Sequence, residues 1–340
     1  GINVIGTIEL RRDFFKEQAT VLFTNNEFAV TLFRYPSGIE AIELTNSRGK
    51  MVVLPYQGQI IWDLVFDNVD LKMKNMFSQP KHAAEIVDTY GCFAFHSGLL
   101  SNGCPGPEDT HVLHGEMACA DMDKAWLNIT ENSVEICGST EYVKGFGHHY
   151  LAKPSVLMKA EQSYIETKMT VKNLSGNEMP LQYMFHTNYA YLANGVMTQN
   201  IPDSTFSLRE SIPDHVKPTK KWLEFNEKIK QGQETLHTLE RSNLYDPEIV
   251  FFADRLNQYQ QNAEFEITSP EGTAFFTTFS TEEFNYATRW LLYNEDQQVG
   301  AFVLPATCRP EGFLAAEKSG SLLNLSPGEE KTFKVITGKK

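Results

Sequence analysis

The sequence lacks an excess of positive charge, a long apolar run and an ordered cysteine pattern, and each absence removes a class of function. Thirty Lys and Arg stand against 43 Asp and Glu, a formal net charge of −13. That balance repels phosphate backbones and anionic membrane surfaces, so neither nucleic acid nor a membrane is an expected partner. Nothing approaches the ~18 consecutive apolar residues of a spanning helix, and the first residues lack the basic, apolar and small-residue order of a secretory signal. The expectation is a cytoplasmic protein. The five cysteines, Cys92, Cys104, Cys119, Cys137 and Cys308, are odd in number and too scattered for a disulfide framework or a C-x-x-C zinc site. Reduced thiols follow, and the Asn128-Ile129-Thr130 and Asn173-Leu174-Ser175 triplets read as chance matches to a glycosylation signal. There is no Ser/Gly/Pro-rich linker, low-complexity tract or fixed-period repeat, so residues 1–340 are expected to form one domain.

What is present is alternation. From Ile165 to Lys172, polar and apolar side chains interleave at period two, as a strand with one wet face requires. Strand-like stretches recur at 28–33, 39–44, 51–54, 60–66, 125–130, 134–137, 264–268, 273–278, 289–293, 300–304 and 331–336. Turn clusters such as Asn46-Ser47-Arg48-Gly49, Ser269-Pro270-Glu271-Gly272 and Ser326-Pro327-Gly328 separate them. Many short strands with almost no helix between them argue for packed antiparallel sheets rather than βαβ units. The predicted class is all-β, with helices at Gln79 to Thr89 and from about Thr219 to Leu239, where Trp222, Phe225, Ile229 and Leu236 form a broken apolar stripe. Gly232 weakens the second.

Four segments, in order, carry a resemblance. They are Leu54-Pro55-Tyr56-Gln57-Gly58-Gln59-Ile60-Ile61-Trp62; Gly98-Leu99-Leu100-Ser101-Asn102-Gly103 followed by Leu113-His114-Gly115; Tyr183-Met184-Phe185-His186-Thr187-Asn188-Tyr189; and Leu325-Ser326-Pro327-Gly328-Glu329. Together they resemble the galactose mutarotase-like (aldose 1-epimerase) family over nearly the whole chain, and more closely its aldose 1-epimerase relatives, in which a Trp such as Trp290 precedes the last motif. The resemblance implies a β-supersandwich of large antiparallel sheets, a monosaccharide or sugar derivative held in an open cleft, and no metal or organic cofactor.

Interconverting anomers requires removing the proton of O1 and delivering one to the ring oxygen. Histidine, titrating near neutrality, suits such work. By the resemblance His186 serves the ring oxygen as proton donor, and His114 bonds around the ring oxygen and anomeric hydroxyl. Gln59, Asn102, Asn188 and Arg309 are candidates for hydroxyl recognition, with Trp290 and Trp62 as stacking platforms. Each has a structural alternative: Asn102 as a turn residue, the tryptophans as core, Arg309 as the partner of an acid. His111 and His114, three apart, suggest a metal pair, but no third or fourth ligand stands nearby. One position departs from the family. Leu304 occupies the place of the expected Glu before Pro305, and a leucine cannot accept a proton. Either Glu311, Glu317 or Glu116 substitutes, or the site binds sugar without turning it over.

Overall fold

A computed structural model describes residues 4–340. Among them, 22 strands pair throughout antiparallel into a nine-stranded and a thirteen-stranded sheet, with two short helices, Lys220–Lys230 and Phe313–Ser319. The period-two reading is realised most cleanly in the strand Tyr164–Asn173 of the smaller sheet, where every second side chain is buried and the others meet water. Inward residues of both sheets, among them Val171, Phe333, Phe275, Phe185 and Phe302, form one continuous apolar core.

The centre of the larger sheet runs Ile249–Ala253, Tyr286–Tyr293, Gln298–Ala306, Met179–Thr187, Ala94–Leu99 and Ile60–Phe66. These strands are buried on both faces. Phe185 points to the core between the sheets, while its neighbour Met184 joins Leu304, Ala306 and Met73 in a second apolar cluster, against which Tyr90 and Trp290 pack. A third cluster, with Phe95, Ile60 and Trp62, continues it. A β-bulge between Thr288 and Trp290 lets Ala301 and Leu304, three positions apart, join the same apolar cluster.

The helical expectations are met in part. Lys220–Lys230 forms, capped by the Thr219 hydroxyl accepting from the Trp222 amide at 3.2 Å. It stops short of Leu239, with Gly232 at φ +73° just beyond its end. Residues 79–89 hold only a 3₁₀ turn, Ile86–Thr89. Their backbone finds other partners: the Gln57 amide donates to Lys81 O at 2.9 Å and accepts from Ala83 N at 3.2 Å, and Thr89 Oγ1 accepts from Lys81 N at 3.1 Å. Side chains thereby satisfy groups that a helix would have paired internally. Among the described residues no helix is long and apolar enough to cross a membrane.

Candidate functional site

His186 lies on the strand Met179–Thr187 directly opposite Phe95 on Ala94–Leu99, and the two rings stack with centroids 4.6 Å apart and planes 16° off parallel. His114 arrives from a loop. It adopts φ +62° and Gly115 φ +79°, two successive left-handed residues that turn the chain back beneath the sheet. A Cβ at Gly115 would sit 2.3 Å from Ser101 O and 2.5 Å from Gly98 O, so the glycine of the Leu-His-Gly string is a steric requirement of this turn. The Gly98 amide then donates to His114 O, and the His114 amide to Gly103 O, each at 3.0 Å.

This anchoring brings the His114 ring edge-on to His186, with centroids 4.8 Å apart at 78°. Trp290 and Tyr90 close the group: Trp290 lies 5.6 Å from the His186 ring and 5.9 Å from Tyr90, both edge to face. The Tyr90 oxygen is 3.4 Å from His186 Nε2. His114 keeps 8% exposure and His186 5%, so both touch solvent from inside an aromatic enclosure. Burial pushes the His114 pKa down to about 3. Burial, with His114 adding to it, holds His186 well below the ordinary imidazole range. Both rings are therefore neutral at physiological pH.

Behind the rings lies a polar layer. Ser97 Oγ is 3.0 Å from His114 Nδ1 and donates to Asn102 Oδ1 at 2.5 Å, while Asn102 Nδ2 donates to Cys308 Sγ at 3.7 Å. Asn188 Nδ2 donates to Cys92 O at 3.0 Å, leaving its Oδ1 to accept from the Tyr90 hydroxyl at 3.3 Å. Asn102 and Asn188 are both fully buried; the structure sets them to orient His114 and Tyr90 rather than in an open cleft.

The other sequence candidates are placed differently. Gln59 is buried, and its amide donates to Pro154 O at 3.0 Å across to the smaller sheet, so it ties the two sheets together. Trp62 is core, with Lys72 Nζ 4.7 Å over its ring. Arg309 forms a bidentate pair with Asp254, its Nη2 at 2.7 Å, above the Phe252 ring. It lines a separate cavity of about 280 Å³ with Arg255, Tyr286 and Glu311. Glu311 lies 3.8 Å from Arg309, and Glu317 is exposed on Phe313–Ser319. Glu116 accepts from Leu99 N at 2.8 Å, Leu100 N at 3.2 Å and Tyr150 Oη at 2.5 Å, which occupies its oxygens in holding the 98–100 chain. Among the described residues, none of the three proposed carboxylates forms a hydrogen bond or ion pair with either histidine. His111 bonds Val112 O through Nδ1 at 2.8 Å, and no cluster of three or more His, Cys, Asp or Glu able to hold a metal occurs among the described residues.

A further carboxylate, passed over in the sequence reading and in contact with neither His114 nor His186, carries its charge towards His114 and Tyr90. Glu248 precedes the strand Ile249–Ala253, with its side chain 14% exposed. It binds Arg209 Nη1 at 3.0 Å and His215 Nε2 at 3.1 Å. Burial pushes its carboxyl up, but the His215 bond and the Arg209 charge outweigh this and leave its pKa below the usual range. Its negative charge reaches both His114 and Tyr90, raising the pKa of each. A lone Glu opening the apolar run Ile249-Val250-Phe251-Phe252 was the available signal.

No family model and no curated relative matches the chain. Solved structures do. A Klebsiella pneumoniae protein provisionally named an aldose 1-epimerase superposes with a TM-score of 0.81 at 11% identity, covering 98% of this chain and 91% of that one. A galactose mutarotase-like protein of Clostridium acetobutylicum gives 0.58 at 14%, covering 93% and 99%. An Escherichia coli K12 protein, also provisionally named an aldose 1-epimerase, gives 0.57 at 15%, covering 86% and 96%. At 11–15% identity the likeness lies in the paired sheets: the chain has the galactose mutarotase-like fold.

Proposed function

We propose that the protein interconverts the anomers of a free monosaccharide or sugar derivative by acid-base opening and closing of the ring, as an aldose 1-epimerase. The observation that carries this reading is the edge-on contact of His114 and His186 inside one aromatic enclosure on this fold. Two neutral imidazoles offer both a hydrogen and a lone pair to one hemiacetal carbon, and the aldehyde intermediate requires no cofactor. Trp290 and Tyr90 supply apolar surface for a pyranose face. Five unpaired cysteines and a net charge of −13 support a reducing, cytoplasmic setting, with neither nucleic acid nor membrane as partner. The core shared by both sheets supports reading the chain as a single domain.

Leu304 favours a second reading. It is fully buried in the apolar cluster with Met184 and Ala306, so that strand offers no base, and a sugar-binding protein without turnover would present the same enclosure. Polarimetry on freshly dissolved pure anomers of an aldose panel separates the two. Accelerated equilibration that is lost in His186→Ala supports the epimerase. Sugar-dependent thermal stabilisation without acceleration supports the binder.

A further inference from the structure

We infer that His114 by itself carries the proton between O1 and the ring oxygen, held for that task in one tautomer by a Cys308, Asn102, Ser97 chain, with His186 acting only as a neutral hydrogen-bond donor. This rests on the epimerase reading and assigns the chemistry within it, without a carboxylate.

The tautomers follow from the bonding. The 2.5 Å contact between Ser97 Oγ and Asn102 lies at the short end of the O–H···O range and below the usual N–H···O range. With Asn102 Nδ2 turned to Cys308 Sγ, it is assigned to Oδ1 of Asn102. The single Ser97 hydrogen has two oxygen acceptors, Asn102 Oδ1 at 2.5 Å and His114 O at 3.4 Å; given to either, it leaves Oγ to accept at 3.0 Å from His114 Nδ1. His114 therefore carries its hydrogen on Nδ1. Its Nε2 lone pair has no partner among the described residues and, unlike His186 Nδ1, is not sealed from solvent.

His186 is held the opposite way. Cys92 O can only accept, which fixes Asn188 Nδ2 towards it and Oδ1 towards Tyr90. The Tyr90 hydrogen goes to that Oδ1, so the phenol oxygen receives the His186 Nε2 hydrogen at 3.4 Å. Two neighbouring rings thus present complementary groups, a lone pair from one and an N–H from the other.

Charge balance decides their roles. Were neutral His186 to release its proton, an imidazolate would be left in a largely buried enclosure. His114 forms no imidazolate, only a cation. Its Nε2 takes the O1 proton, the C1 to ring-oxygen bond breaks with its electrons passing to the ring oxygen, and the C1 carbonyl forms. The ring oxygen, having replaced the Tyr90 oxygen as acceptor of His186 Nε2–H, then receives the same proton back from His114. Rotation about C1–C2 and reversal give the other anomer. O1 and the ring oxygen share C1, so one imidazole reaches both. The transient His114 cation is opposed by burial and favoured by the Glu248 charge, which places Glu248 as a field and not as a base.

Nitrogen-15 NMR of protein labelled in the histidine rings reads each tautomer without reference to activity, with His114→Gln and His186→Gln assigning the signals. At neutral pH the wild type is expected to show His114 protonated at Nδ1 and His186 at Nε2. Ser97→Ala is expected to mix the His114 tautomers and slow anomer exchange roughly 10- to 100-fold, whereas Ser97→Thr, which keeps the hydroxyl, restores both. A wild-type His114 protonated at Nε2, or exchange unaltered in Ser97→Ala, would overturn the inference. Correct tautomers in a protein that exchanges no aldose would instead remove the epimerase reading and, with it, the proton-carrier role, while the tautomer lock stands.

Discussion

Replacing Glu248 with Gln removes one negative charge from a site where Arg209 is 9% and Glu248 14% exposed. The Arg209 guanidinium cannot deprotonate, so the variant leaves a cation in a poorly hydrated place without its counter-charge. Breaking a buried pair by deleting one partner costs about 3–5 kcal/mol. Gln keeps an acceptor oxygen for one donor, and His215 is about half exposed, so we expect about 2–3 kcal/mol at pH 7, below that range. The pH dependence has a definite sign. Because the folded pKa of Glu248 lies below the unfolded one of about 4.3, its stabilisation is present above that unfolded value. It is lost as pH falls through the folded one. Urea unfolding of both proteins from pH 7 to pH 3.5 should show a gap that narrows only below about pH 4.5. A loss under about 0.5 kcal/mol at pH 7 would place the pair with ordinary surface ion pairs, and a gap unchanged in acid would show that the charge is not its origin.

Three further substitutions probe the frame around the histidines. Gly115→Ala forces a Cβ to within 2.3 Å of Ser101 O at φ +79°; we expect more than about 2 kcal/mol of destabilisation in urea and a displaced His114 ring signal by NMR. Leu304→Glu restores the carboxylate that the family pattern expects, but in a fully buried apolar cluster. Its pKa should rise, so the variant should be about 3 kcal/mol less stable at pH 7 and recover part of that as pH falls, here because the variant gains stability in acid and not because the wild type loses it; equal stability at both pH values would contradict this. Tyr150→Phe deletes the phenol donor to Glu116 at 2.5 Å, for which calorimetry should report about 1.5–3 kcal/mol, whereas no change would mean that the two backbone amides suffice.

Sequence and structure agree where the pattern is local. The strand Tyr164–Asn173 could be read because one face is wet, and the period-two signal survives. Ala94–Leu99 and Ile249–Ala253 escaped because they are buried on both faces and carry no alternation. Residues 79–89 looked helical, yet the backbone there pairs with Gln57 and Thr89, partners that no window of neighbouring residues contains.

The all-β class, the strongly acidic balance, the ordered motifs and the two histidines are legible along the chain, since each depends on composition, period two or residue type within a short stretch. What each polar residue does depends instead on its partners in the folded molecule. Glu116 and Gln59 became scaffold, Glu248 paired with Arg209 and His215, and Asn102 reached Cys308 across 206 positions of chain. The reason is finite hydrogen-bonding capacity: a side chain is available for chemistry only when its donors and acceptors are not already taken, and the groups that take them come from distant strands.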